Sequence, residues 1–269
     1  MNIFIEGLQG SGKTTLLQRL SRRYPTYHVY REGDYCPVEL SWCTYMTEDE
    51  YAAAVRRYPS LAEEIKRWLT REDEHYIVAY TRILTDEPGF HKYMEQFEIY
   101  NGRRKKDDFE RIILKRYRNL PAENTGNLFE CAFFQNILEE LILFQQMDDN
   151  QICAFYKRLM SVIPQKDFRL YYLYSENVEE TIMQIRKERS DEQGNQWWYP
   201  LMMGYLRESP YGKSHHVRGF EDLIVHLRHR QELEMRIIRE CLGDCANVLL
   251  ARQYGDEQLR ISCKENVHI

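Results

Sequence analysis

The chain has 269 residues, seven cysteines and a formal net charge of −5. That length suits one large α/β domain with room for an insertion, and the acidic balance excludes nucleic acid as the expected main ligand. The cysteines form no CxxC pair or metal-binding array, no apolar stretch approaches membrane-spanning length, and Met1 runs straight into an apolar segment without a basic-then-apolar leader. A cytoplasmic protein with reduced thiols and no membrane contact is therefore expected.

Asn2-Ile3-Phe4-Ile5 reads as a short apolar strand, and Thr15-Leu16-Leu17-Gln18-Arg19-Leu20 as the start of a helix. Between them, Gly7-Leu8-Gln9-Gly10-Ser11-Gly12-Lys13-Thr14 matches G-x-x-x-x-G-K-[ST] at every specified position, in the strand–loop–helix setting that the motif requires. Backbone N–H groups from Gly7 to Thr15 are placed to cradle phosphates. Lys13 is placed to reach the β- and γ-phosphates, and Thr14 to ligate Mg²⁺. The expected ligands are ATP and Mg²⁺.

Tyr27-His28-Val29-Tyr30 follows as a second strand, ended by Gly33. From Thr47 to Leu120 the pattern is mainly helical. Leu61, Ile65 and Trp68-Leu69 share one face, while Tyr76, Ile77, Tyr80, Ile83 and Leu84 share another before Pro88-Gly89 breaks the run. Residues 45–120 are read as a helical insertion or cap within a single domain spanning 1–269. Asn127-Leu128-Phe129-Glu130 is the next strand, followed by helices through Ile137–Phe144 and about Asn150–Val162. Phe168–Tyr174 is a strand leading into a helix through Val178, Ile182 and Ile185. A long helix over about Glu221–Cys241 and a strand over Ala246–Ala251 complete the pattern. Five strands separated by helices predict an α/β fold: three layers, with a central five-stranded parallel sheet.

The opening IEGLQGSGKTTL resembles the thymidylate kinase and deoxynucleoside kinase group, and Arg31-Glu32-Gly33-Asp34 is similar to the Arg-Glu-Pro-Gly segment of thymidylate kinases without its proline. The resemblance implies a carboxylate after the second strand that contacts the phosphoryl acceptor or serves as base, with Glu32 the first candidate and Asp34 the next. A carboxylate at the carboxyl end of a sheet strand independently faces the crevice beside the phosphate loop. The resemblance also implies an acid at Glu130, near Thr14 in the magnesium or acceptor shell, although Cys131 stands where the group commonly has arginine. Gln135 is a candidate acceptor contact. In related kinases arginines fill a lid at the position of Arg186-Lys187-Glu188-Arg189, which makes Arg186 and Arg189 catalytic candidates. The lid is expected over 186–200, with its tip at Ser190–Asn195.

Trp42, Tyr45 and Tyr80 are candidates for an aromatic acceptor pocket, with core packing the competing reading. Trp197-Trp198-Tyr199 reads as an apolar clamp or packing knot, and the adjacent His215-His216 lacks a third ligand for zinc. Asp86-Glu87-Pro88-Gly89 fits the D-x-x-G of a GTPase switch, but no N-K-x-D segment follows, so a turn is expected. Arg103-Arg104-Lys105-Lys106 reads as a solvated helix start that could also attract a phosphorylated acceptor. These readings predict an ATP-dependent kinase acting on a small-molecule hydroxyl or phosphate acceptor, such as a nucleoside or nucleotide, with a homodimer left open. The alternative is a P-loop NTPase serving as a regulatory or partner-binding switch.

Overall fold

The computed structural model describes residues 1–120, 126–164, 167–191 and 193–259. Its centre is a five-stranded, all-parallel sheet in the order β2-β5-β1-β6-β7. The strands are β1 (Asn2–Gly7), β2 (His28–Tyr30), β5 (Asn127–Glu130), β6 (Phe168–Tyr174) and β7 (Ala246–Leu250). The middle strand, β1, pairs Ile3 with Leu128 on one side and with Arg169 on the other.

All six residues of β1 are buried, as expected for a parallel strand covered on both faces. Alternate side chains enter different cores. Ile3 and Ile5 pack against Leu16, Leu17 and Leu20 of α1 (Lys13–Arg23). Phe4 points the other way and stacks on Phe129 and Phe168, with ring centroids 4.7 and 4.9 Å away. This second layer contains α5 (Lys106–Arg118), α6 (Gln135–Glu139), α7 (Asp149–Val162) and α11 (Phe220–Ile237). Among the described residues no helix is long and apolar enough to cross a membrane.

The segment read as mainly helical departs from that expectation. It contains α2 (Glu48–Arg57), α3 (Ala62–Arg67), α4 (Phe90–Glu95) and α5, but also an antiparallel hairpin of β3 (Leu69–Glu72) and β4 (His75–Val78). Tyr76 and Val78 enter one apolar cluster while Ile77 enters the other. Period-2 burial toward two different cores imitates an all-round apolar helix over so short a run. Asp73, at φ 50°, makes the tight turn between the strands. Leu84, assigned to the same helical face, is 94% exposed. The structure also adds α9 (Trp198–Glu208) and α10 (Pro210–Ser214), which the sequence reading left without an element, after α8 (Val178–Glu188).

Candidate active site

The carboxyl ends of β1, β2 and β5 open into one cavity of about 570 Å³, lined by Gln9, Gly10, Gly12, Lys13, Thr14 and Thr15 together with Glu32, Trp42, Glu130, Gln135 and Arg189. The strands' register brings these separated stretches together, as expected for a crevice at the carboxyl edge of a parallel sheet.

The phosphate loop is shaped by its glycines. Gly7 has φ 143°, and a Cβ there would lie 2.6 Å from the Leu173 carbonyl oxygen, so a side chain would block the approach of β1 to β6. Gly12, at φ 98°, precedes α1, whose first turn has no side-chain cap and no acidic residue. Those amides are left as donors for an anion, which fits a phosphate group. Lys13 Nζ donates to the carbonyls of Gly7 (2.9 Å) and Leu8 (3.1 Å), curling over the loop. Leu8 and Ser11 are fully buried beneath it.

Thr14 Oγ1 donates to Glu130 Oε1 at 2.6 Å. Two hard oxygen ligands beside a phosphate loop suit Mg²⁺, which binds through few protein groups and shares its shell with phosphates. Among the described residues no group of three or more His, Cys, Asp or Glu side chains forms a separate metal site.

Glu32 and Gln135 meet in the cavity, where Gln135 Nε2 donates to Glu32 Oε1 at 2.8 Å. Gln135 is held in place from below. Glu6, fully buried at the end of β1, accepts from the backbone N–H groups of Phe133 (2.6 Å) and Gln135 (3.3 Å). Burial pushes Glu6 up to about 7, against the Phe133 amide and the charge of Lys13, which work to lower it. Glu39 plays a similar part for the other wall: it accepts from Ser41 Oγ at 2.7 Å, and Asn136 Nδ2 donates to the same hydroxyl at 2.9 Å. Burial raises Glu39 to about 7 as well.

Other expected site residues lie elsewhere. Asp34 ion-pairs with Arg82 and closes a turn by accepting from the N–H of Arg31 at 3.3 Å; it does not line the cavity. Tyr80 is buried and donates to Glu98 Oε1 at 2.6 Å, so Glu98 rather than Tyr80 reaches the cavity. Arg186 donates to Gln196 Oε1 at 3.1 Å and lies over the Tyr199 and Phe220 rings, away from the cavity. Arg189, at the end of α8, lines it, 5.8 Å from the rings of Trp197 and Trp198. Glu192, part of the expected lid tip, lies outside the described residues.

The cavity also contains residues that sequence reading missed. Asn136 and Glu139 follow Gln135 on α6; Glu139, four residues on, shares the face of Gln135, so helical spacing carried a signal for it, whereas Asn136 is adjacent in sequence and had none. Arg252 follows β7 and donates to the Gly10 carbonyl at 2.8 Å and to Glu188 Oε1 at 3.1 Å, joining the phosphate loop, α8 and the last strand. Its place just past a strand's carboxyl end was the available clue. Glu98, Tyr100 and Asn101 come from the loop before α5, and nothing local marked them. Gly102 N donates to Glu140 Oε2 at 3.1 Å, fastening that loop to the π-helical turn Glu140–Phe144 that continues α6.

Behind Glu139 lies a buried ionic network. Arg230, with no exposed surface, bonds to Glu139 and to Glu234 (Nε to Oε1 3.1 Å), and His226 Nε2 is 3.0 Å from Glu139 Oε2. Burial alone would raise Glu139, but His226 and Arg230 outweigh it and hold this carboxyl at about 2. Glu139 is therefore an anion on the cavity wall.

No protein-family model matches the chain, and no curated protein matches it. Among solved structures the chain is similar to deoxyadenosine kinase from M. mycoides with bound dATP, at 14% identity and a TM-score of 0.36, over 96% of this chain and 95% of that one. At that distance no residue carries over from one chain to the other.

Proposed function

We propose that this protein is an ATP-dependent phosphotransferase that moves the γ-phosphoryl group to a hydroxyl of a small molecule. The observation that carries the proposal is the single cavity in which an uncapped helix N-terminus and Lys13 adjoin the Glu32–Gln135 pair. Residues Gly7–Thr15 bind the triphosphate. Thr14 and Glu130 hold Mg²⁺, which when bound neutralises charge on the phosphates. Glu32, oriented by Gln135, accepts the acceptor's proton. The acceptor oxygen bonds to the γ-phosphorus, the bond from that phosphorus to the bridging oxygen of ADP breaks, and ADP leaves. Arg189 offsets charge on the transferring oxygens. Residues 45–120 cap the acceptor side and 186–200 serve as the lid.

The test is an ATP-dependent acceptor screen that detects the phosphorylated product by mass, with Glu32→Gln as comparison. The variant keeps most of the side-chain volume but loses the proton-accepting carboxylate. Nucleotide affinity should persist while product formation falls by roughly 10²–10⁴. Phosphate release with no phosphorylated product would favour the regulatory NTPase instead, and normal turnover by Glu32→Gln would remove Glu32 as base.

A further inference from the structure

The cavity is charged unevenly. Its lining cations, Lys13, Arg189 and Arg252, belong to the phosphate loop, the end of α8 and the segment after β7. The wall made by α6 and the loop before α5 contributes Glu98 and Glu139 and, among the described lining residues, no lysine or arginine. The basic run 103–106 does not supply one. Arg103 is committed to Glu95 and Glu98, Arg104 donates to the Tyr45 carbonyl at 3.2 Å, and neither lines the cavity.

The state of Glu98 shows what this wall lacks. The Glu98 side chain is 2% exposed. Burial pushes its carboxyl up to about 7 although Tyr80 and Arg103 oppose the rise, so its charge is incompletely compensated within the chain. Tyr100 lines the same cavity and is 5% exposed, with its hydroxyl interacting with the buried Glu39 carboxyl, so it does not serve Glu98. A neutral hydroxyl would give Glu98 a hydrogen bond but leave its charge uncompensated, whereas an ammonium group supplies both. The neighbouring lining residues Trp42, Trp198 and Tyr205 add aromatic surface that attracts ammonium groups. A phosphate on the acceptor would face carboxylates here and, among the described residues lining this wall, no lysine or arginine.

We propose that the acceptor is an unphosphorylated hydroxyl compound carrying a protonated amine, with the ammonium group held by Glu98 and Glu139 beside the aromatic wall. This rests on the kinase reading above and narrows its acceptor. The amine takes no part in bond making: the hydroxyl oxygen attacks the γ-phosphorus of ATP, its proton passes to Glu32, and ADP departs.

The test uses the full chain with ATP·Mg²⁺ and three matched probes, glucosamine, glucose and glucose 6-phosphate, plus ethanolamine and kanamycin as amines and adenosine and AMP as non-cationic controls. Phosphorylated product is read by mass, and ligand-induced thermal shift is read on the ADP-bound protein. We expect at least one amine to be phosphorylated, or to shift the melting temperature, at concentrations at least 10-fold below those its uncharged counterpart needs. Glu98→Gln should raise the KM of that amine at least 10-fold and leave the KM for ATP within twofold. The parent comparison stands even if that variant folds poorly. Preference for glucose, adenosine or a phosphorylated probe overturns the amine and leaves the kinase standing. Absence of both turnover and thermal shift with every amine also overturns it. Failure of ATP itself to shift the protein would bring down the kinase reading as well.

Discussion

Replacing Arg230 by methionine tests the buried network that keeps Glu139 charged on the cavity wall. The guanidinium has no exposed surface and bridges Glu139 and Glu234, whose side chains are 7% and 0% exposed. Methionine fills much of the same space but leaves Glu234 without its cation and Glu139 with His226 alone, a loss of about 3–5 kcal/mol. At about 2–4 °C per kcal/mol for a chain of this size, the melting temperature should fall by roughly 6–20 °C. The sign of the pH dependence adds a second check. In the parent, Glu139 sits at about 2, below its ordinary 4.5, so its stabilising contribution is present above 4.5 and is lost as pH falls through 2. Burial already raises Glu234 in the parent; without Arg230 it rises further, and Glu139, left with His226 alone, rises from its low value, so the folded variant holds protons to higher pH than the parent does. The deficit of the variant should therefore be larger at pH 8 than at pH 5. Melting curves of parent, Arg230→Met and Arg230→Lys at both pH values make the measurement, with lysine expected to recover part of the loss. A deficit below about 1 kcal/mol, or one equal at both pH values, would refute the assignment of Arg230 as the cation that sustains Glu139.

Lys13→Ala should abolish most phosphoryl transfer and weaken ATP binding with little loss of melting temperature, since among the described residues Nζ donates to the Gly7 and Leu8 carbonyls at the edge of the cavity; parallel losses of stability and binding would count against a phosphate-binding role. Thr14→Ala should raise the Mg²⁺ concentration needed for half-maximal activity, and coincident Mg²⁺ titrations of parent and variant would remove Thr14 as a ligand. Glu39, raised by burial from 4.5 to about 7, keeps its proton in the fold while the unfolded chain has lost it, so the fold loses stability as pH rises through that window. Glu39→Gln should flatten the loss by on the order of 3 kcal/mol, read from denaturant titrations at pH 4.5 and 7.5, and an unchanged slope would argue against a buried neutral Glu39.

The phosphate-loop motif and five parallel strands were legible because they rest on local chemistry, while the strand order came only from the fold. Glycine conformations and a Lys-Thr pair define the loop, while β1, β5 and β6 are apolar runs too short for helices. Glu32, Glu130 and Gln135 were named as candidates for a related reason: Glu32 follows β2, Glu130 ends β5, and Gln135 opens the helix after it. The hairpin Leu69–Val78 was not legible, because its alternate residues face two cores and only the packed chain shows there are two. The sequence likewise left Glu32 and Asp34, two residues apart in one strand-to-turn segment, as rivals. Arg82, 48 positions away, decided between their surroundings by drawing Asp34 into an ion pair, while Gln135 drew Glu32 into the cavity. Arg186 and Arg189 share a helical side by spacing, yet the rings of Tyr199 and Phe220 take the first and leave the second at the cavity. The charge on the acceptor wall was furthest from view. Glu98, Glu139 and Arg252 come from a loop, a helix and the segment after the last strand, and their proximity to the phosphate loop is set by long-range packing that no local pattern encodes.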